Sequence, residues 1–305
     1  MNPLIGIALV LAAFFAFTLM SAFVRFLGQS IPLGEIVFMR SFFAFIPLLA
    51  VMVWRGELAT ALYTRHPFAH FSRSTIGVLA MVMNFAALTL LPLADVTAIG
   101  FAMPIFTVVL AAVFLGEVVR IRRWSAVGVG FIGVLVMLSP YIGASPRGEG
   151  ATLGAFLALG GALAVAIAMT LVRHMSRTES TASLVFYFSV TCSLVGLATI
   201  PWGWAMPTPW EFVLLVTMGL LGGIGQILIT ESYRYAPASV VAPFAYTAMI
   251  YSVVIGYFWF GELPKLIVLV GAAIVIAAGL FVIWRERKLG LDRTEETPIA
   301  GAPPG

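Results

Sequence analysis

Residues 113–119 read VFLGEVV, and residues 259–265 read WFGELPK. Each closes a long apolar run with a Gly-Glu pair, Gly116 and Glu117 in one case, Gly261 and Glu262 in the other. A carboxylate at such an edge either does chemistry or marks where one helix stops and the next begins. Sliding the chain by 145 positions superimposes the two stretches and also pairs Pro92 with Pro237, without gaps. Further upstream, a slide of 148 pairs Arg25 with Arg173, Val37 with Val185, Phe38 with Phe186 and Ser41 with Ser189. The chain reads as two copies of one unit.

Composition says where that unit lives. Of 305 residues, 61% are hydrophobic and 10% charged, whereas soluble domains average about 45–50% apolar and about 25% charged. So apolar a chain belongs in a bilayer. The net charge of +4 comes from basic residues scattered at the ends of apolar runs, without the stripe that a nucleic-acid partner needs. The single cysteine, Cys192, permits no internal disulfide and no thiolate metal cluster. His66, His70 and His174 fall near polar connections with no ligand at helical spacing, so no metal site is expected. There is no phosphate-cradling Gly-Lys-Ser/Thr loop and no catalytic spacing of Ser, His and acids. The expectation is a protein that is not an enzyme and carries no cofactor.

A membrane-spanning helix needs about 20 predominantly apolar residues. Ten such runs occur, at 4–27, 33–54, 74–91, 93–115, 124–141, 151–172, 181–201, 210–231, 238–260 and 265–284. The first is longer than the roughly 7–15-residue core of a secretory signal and lacks its basic start, so it reads as a retained span. Alternating segments of about ten residues, the mark of a β-barrel, are absent. The predicted fold is all-α and polytopic, ten transmembrane helices as two five-helix repeats, 4–141 and 151–286, followed by a tail, 287–305, whose composition predicts disorder. With the N-terminus cytoplasmic, thirteen Lys and Arg residues fall on that side, Arg73 among them, against three on the other. The bias puts both termini in the cytoplasm. Because five is odd, the second repeat enters the membrane upside down, a construction common in secondary transporters, whose sites lie near the midplane between repeats.

Three stretches carry a family resemblance. ALTLLPLADVTAIGFAMPIFTVVLAAVFLGEVVRIRRW (87–124), SYRYAPASVVAPFAYTAMIYSVVIGYFWFGELP (232–264) and PLGEIVFMRSFFA (32–44) resemble the repeats of the EamA family of the drug/metabolite transporter superfamily. The likeness covers nearly the whole chain to about residue 286. It implies a ten-helix secondary transporter of the bacterial inner membrane that moves a small organic metabolite by alternating access. The first half resembles the riboflavin and S-adenosylmethionine uptake group, which implies uptake of a compound of one of those kinds. Export of amino acids or related metabolites is the alternative, and a membrane-embedded enzyme or scaffold a remote one. The partners implied are a small-molecule substrate and the lipid bilayer, with no nucleic acid; a homodimer stays open.

Within the spans, polar residues are the candidates for a substrate site. Arg40 lies about seven residues into the second span and is the charge deepest in an apolar run. A central arginine costs about 2.5–3.5 kcal/mol on insertion scales and usually faces a bundle interior or a wet cavity. Its repeat partner is Phe188, so the shared scaffold does not demand the charge. It either anchors an anionic or polar substrate group or pairs structurally with a carboxylate or backbone carbonyls. Glu35, about 140° around the same helix from Arg40, reads as a mouth residue or a solvated helix start. In GLLGGIGQILITESYR (219–234), Gly219, Gly222, Gly223 and Gly225 allow close helix approach or a hinge. Gln226 is the best candidate there for a substrate contact, sharing a face with Thr230, and Glu231 and Arg234 read as a helix-end pair.

Asn84, with Thr18 and Ser21, adds polar groups that lipid does not satisfy. Tyr187, Tyr246 and Tyr251 either stack on a planar ligand or pack. Pro104 and Pro243 lie inside the fourth and ninth spans, where each kinks the helix and could form a gate. The inverted topology puts Glu117 and Glu262 at opposite rims, away from a shared midplane. Both glutamates therefore read as punctuation, with Gly116 and Gly261 ending one helix and the acids sitting at the start of the next.

Overall fold

The computed structural model describes residues 3–64, 66–114, 121–142, 150–175 and 178–288. Its helices are α1 (Pro3–Leu27), α2 (Leu33–Trp54), α3 (Leu58–Leu62), α4 (Pro67–Leu90), α5 (Leu93–Gly100), α6 (Met103–Phe114), α7 (Ile121–Leu138), α8 (Ala151–Met175), α9 (Thr181–Leu197), α10 (Pro209–Tyr235), α11 (Ala238–Val241), α12 (Thr247–Phe260) and α13 (Leu266–Lys288). Among the described residues, ten helical segments are long and apolar enough to cross a membrane. The described residues contain no strand. The fold is all-α with ten candidate transmembrane helices, as the hydropathy of the sequence predicts.

Local chemistry sets the helix ends. Thr208 and Glu211 form a reciprocal capping box at the start of α10, with Pro209 in the first turn where a missing N–H costs nothing. Gly261 closes α12 in the left-handed region at φ 65°, and the Glu262 amide donates back to the Gly256 carbonyl at 3.0 Å. That is a glycine C-cap, in which only glycine escapes a Cβ clash. The fourth span breaks at Phe101 and Ala102, between α5 and α6. Pro104 cannot donate to the Gly100 carbonyl, and its ring crowds that carbonyl, so the helix restarts instead of running through. The ninth span breaks in the corresponding place, where a 3-10 turn at Ala242–Tyr246 holds Pro243 between α11 and α12.

Two boundaries differ from the sequence reading in ways that matter. The third span begins at Pro67 instead of residue 74, because Pro67 serves as a helix-opening residue. His70 and Arg73, read as connection residues, are therefore inside α4. The eighth span continues past residue 231 to Tyr235, so the helix carries Arg234 as well as Glu231. Gly116, Glu117 and the tail from 289 onward lie outside the described residues, and residues 287 and 288 continue α13.

The helices pack in a pattern that maps onto itself when the halves are exchanged. α1 lies on α10 as α4 lies on α8; α2 lies on α10 as α4 lies on α9; α8 lies on α6 as α1 lies on α12. The pairs α2 with α9 and α7 with α13 are their own counterparts. Small residues make these contacts close. A methyl on Gly219 would stand 2.5 Å from Cβ of Phe43, and one on Gly223 would stand 2.5 Å from Cγ of Pro47 and 2.7 Å from the Ala44 carbonyl. The glycines of α10 therefore admit the α2 backbone. α10 itself runs unbroken from Pro209 to Tyr235, and close helix contact is the role its glycines show here.

Candidate functional site

At the end of the bundle where α2 and α10 finish, a cavity of about 780 Å³ opens between α2, α9 and α10. Leu48, Met52 and Arg55 line it from α2, Thr181 and Val185 from α9, and Gln226, Thr230 and Glu231 from α10. Arg55 donates to Glu231 at 2.5 Å, joining the two halves at the cavity wall. Glu231 also accepts from Arg234 at 3.2 Å. The helix-end pair read from sequence is real, but its stronger member comes from another helix.

Arg40 lies further inside. Gly222, one turn before the cavity-lining Gln226, leaves the space into which the guanidinium fits: a methyl there would stand 3.1 Å from Nε of Arg40 and 3.1 Å from the sulfur of Met20. Nε of Arg40 is buried without an acceptor, and the side chain has no ion pair among the described residues. The structural reading of Arg40, a pair with a carboxylate or with carbonyls, is therefore not what the structure shows. Gly222 and Gln226 lie one turn apart on α10, with Arg40 set against Gly222.

The other candidates are elsewhere. Asn84 sits on α4, where its backbone packs on Gly161 of α8, and its half-buried carboxamide makes no hydrogen bond to a described residue. Thr18 and Ser21 turn back on their own helix, donating to the carbonyls of Phe14 and Phe17. Tyr246 packs edge-on against Phe101, and Tyr251 against Phe15. Tyr187 stacks beside His70 and donates to the Leu62 carbonyl at 3.0 Å. The three tyrosines serve three separate contacts and form no common stacking platform.

At the opposite end the halves are tied again. Arg25, in the last turn of α1, pairs with Glu262 and donates to the carbonyls of Leu88 and Leu91. Ser30 donates to Glu211 at 2.6 Å. Glu35 is buried and accepts from the Ala205 amide at 3.0 Å, so it is neither a solvated helix start nor an open mouth residue. Glu262 lies four residues ahead of α13. Its work is the bond to Arg25, and it does not open the next helix.

Two features escaped the sequence reading. His70 and Glu179 meet at 3.2 Å with almost no exposure, and Glu179 also accepts from Thr64 and Ser183. Arg73 lies with its guanidinium 4.3 Å from the centre of the Phe188 ring, while its Nε and Nη1 are buried without an acceptor. The available signal was Pro67: read as a helix start, it turns the polar run around residues 70–75 into the first turns of a span. Among the described residues no group of three His, Cys, Asp or Glu could hold a metal ion.

The model of the EamA-like transporter family matches the chain twice, over residues 4–139 and 152–284. The chain is 31% identical to an S-adenosylmethionine uptake transporter of Rickettsia prowazekii, over 87% of each chain. It is 27% identical to a pseudopaline exporter of Pseudomonas aeruginosa over 90% of this chain and 94% of the other, and 27% identical to a riboflavin transporter of Rhizobium johnstonii over 94% and 93%. One solved crystal structure superimposes with a TM-score of 0.64 at 18% identity, covering 92% of this chain and 98% of the other, which shows a shared fold.

Proposed function

The chain belongs to the EamA-like transporter family, and from that membership we propose a secondary transporter that takes up a small metabolite of the S-adenosylmethionine type by alternating access. The likeness to the Rickettsia uptake transporter, along nearly the full length of both chains, carries the choice of substrate and direction. The two halves act as inverted repeats that rock against each other, a reading supported by helix packing that survives their exchange. Both termini and the cavity bounded by Arg55 and Glu231 face the cytoplasm of a bacterium, in keeping with the bias of Lys and Arg toward that side. Arg40 and Gln226 contact the substrate. A guanidinium without a partner, aimed into a gap made by Gly222, is free to receive an anionic group. The breaks at Pro104 and Pro243 supply the flexible points of the fourth and ninth spans.

The test is uptake of radiolabelled S-adenosylmethionine into proteoliposomes containing the full chain, with riboflavin, methionine and amino-acid mixtures as competitors. Saturable accumulation blocked only by S-adenosylmethionine-like compounds is the expected result. Efflux from preloaded vesicles without accumulation would instead establish export, the reading that the likeness to the pseudopaline exporter favours. Riboflavin uptake alone would move the substrate to the other import class.

A further inference from the structure

Arg40 and Arg73 come from different helices, α2 and α4, which touch each other and both pack against α9. Cys192 is fully buried on α9. Phe188, the ring beneath Arg73, is one turn before Cys192 on the same face of α9. α9 packs against both α2 and α4, so the three helices enclose one corner of the bundle interior.

No described carboxylate serves either arginine. Glu35 accepts from the Ala205 amide, Glu179 meets His70, Glu231 holds Arg55 and Arg234, and Glu262 holds Arg25. Asp95 accepts from Tyr141, and Glu211 from Ser30 and Thr208. Three guanidinium nitrogens, Nε of Arg40 together with Nε and Nη1 of Arg73, are buried with nothing to donate to. Two cations on neighbouring helices repel each other, and the buried nitrogens have lost their water. Such an arrangement persists where an anion completes it. A guanidinium presents planar donors that match a carboxylate two bonds at a time, and the buried setting strengthens each bond. The Phe188 face holds Arg73 flat, and the missing side chain at Gly222 lets Arg40 lie against α10.

We propose that Arg40 and Arg73 together form a subsite for the carboxylate of the transported metabolite, closed on one side by Phe188 and Cys192 of α9. The subsite rests on the uptake reading for its substrate, an amino-acid-bearing metabolite of the S-adenosylmethionine type. It excludes riboflavin-like compounds, which lack the carboxylate. Arg73 joins Arg40 as a specificity-determining residue.

The experiment compares uptake of S-adenosylmethionine and of its decarboxylated form into proteoliposomes carrying the wild-type chain, R40Q, R73Q, R40K or R73K, with the folded fraction fixed by size-exclusion profile. The wild type is expected to prefer the carboxylate-bearing compound by on the order of tenfold or more, because a site built around a buried donor pair leaves those donors unmet by the analogue. R40Q and R73Q should each abolish the preference by lowering only the uptake of S-adenosylmethionine. The lysine variants retain the charge and should retain part of the preference, which keeps the test open where a glutamine variant does not fold. A preference undiminished in folded variants at both positions would overturn the subsite while leaving transport intact. If the wild type takes up neither compound, the substrate reading fails, and the subsite is then read from melting of the detergent-solubilised chain. Sodium acetate should raise the Tm over sodium chloride in the wild type and not in R73Q. No such rise, or a rise with inorganic phosphate alone, would overturn the carboxylate assignment.

Discussion

Arg25 at the end of α1 holds Glu262, beyond the end of α12, and the same guanidinium donates to the carbonyls of Leu88 and Leu91 at the end of α4. One side chain thus fastens the first half to the second and closes α4 as well. The two partners should fail differently. Arg25→Ala strands two carbonyls and a carboxylate and is expected to cost about 1–3 kcal/mol. Glu262→Gln leaves an oxygen that still accepts and should cost under about 1 kcal/mol, since both groups keep some solvent contact. Thermal melting in detergent measures both; equal losses would mean that the carbonyl bonds contribute nothing.

Arg55 and Glu231 make the corresponding tie at the cavity end, at 2.5 Å, with Arg234 as a second cation. Glu231→Gln leaves Arg55 and Arg234 without their paired carboxylate, with Glu57 the remaining acid on the cavity wall. The local field then repels a cationic metabolite, and, with the proposed substrate S-adenosylmethionine, the KM should rise several-fold at low ionic strength and recover toward the wild-type value as salt is added. A change in KM that ignores salt would rule out this electrostatic account.

The glycines of α10 separate packing from function. A methyl at Gly219 or Gly223 would meet the α2 chain at 2.5 Å, where backbone and ring atoms cannot easily give way. Gly219→Ala and Gly223→Ala should each destabilise the fold by about 1–3 kcal/mol. A methyl at Gly222 meets only the movable ends of Arg40 and Met20, at 3.1 Å. Gly222→Ala should therefore melt close to the wild type while losing most of its uptake. Parallel loss of stability and uptake at all three positions would show that Gly222 acts by packing alone.

Pro104 sits two residues beyond the break between α5 and α6. Pro104→Ala restores an amide that can donate to the Gly100 carbonyl and lets the two helices join. The expected result is an equal or higher Tm with slower turnover of substrate at saturation. Faster turnover would show that the break does not help the span to move.

The sequence made the spans legible because lipid imposes one rule on every segment: about 20 apolar residues with the backbone satisfied internally. It made Gly261 legible as a helix stop, since a left-handed cap favours glycine. It also singled out Arg40, because a charge inside an apolar run stands out at any orientation. Arg73 and His70 did not stand out. They lie near a helix start among Ser72, Ser74 and Thr75, and a local polar cluster reads as a connection whichever helix it is buried against. Glu35 and Glu262 were read by the chemistry of helix ends, yet their partners, Ala205 and Arg25, are far away in the chain.

Sequence alone determined the membrane class, the ten helices, the doubling of the unit and the family, because each follows from composition or short-range pattern. Tertiary structure decided which charges are spent and which are free. Pairing depends on helix rotation and on which spans touch, and hydropathy carries no record of either. Only the fold neutralises Arg25 and Arg55 with carboxylates from the other half while leaving Arg40 and Arg73 without an ion pair among the described residues.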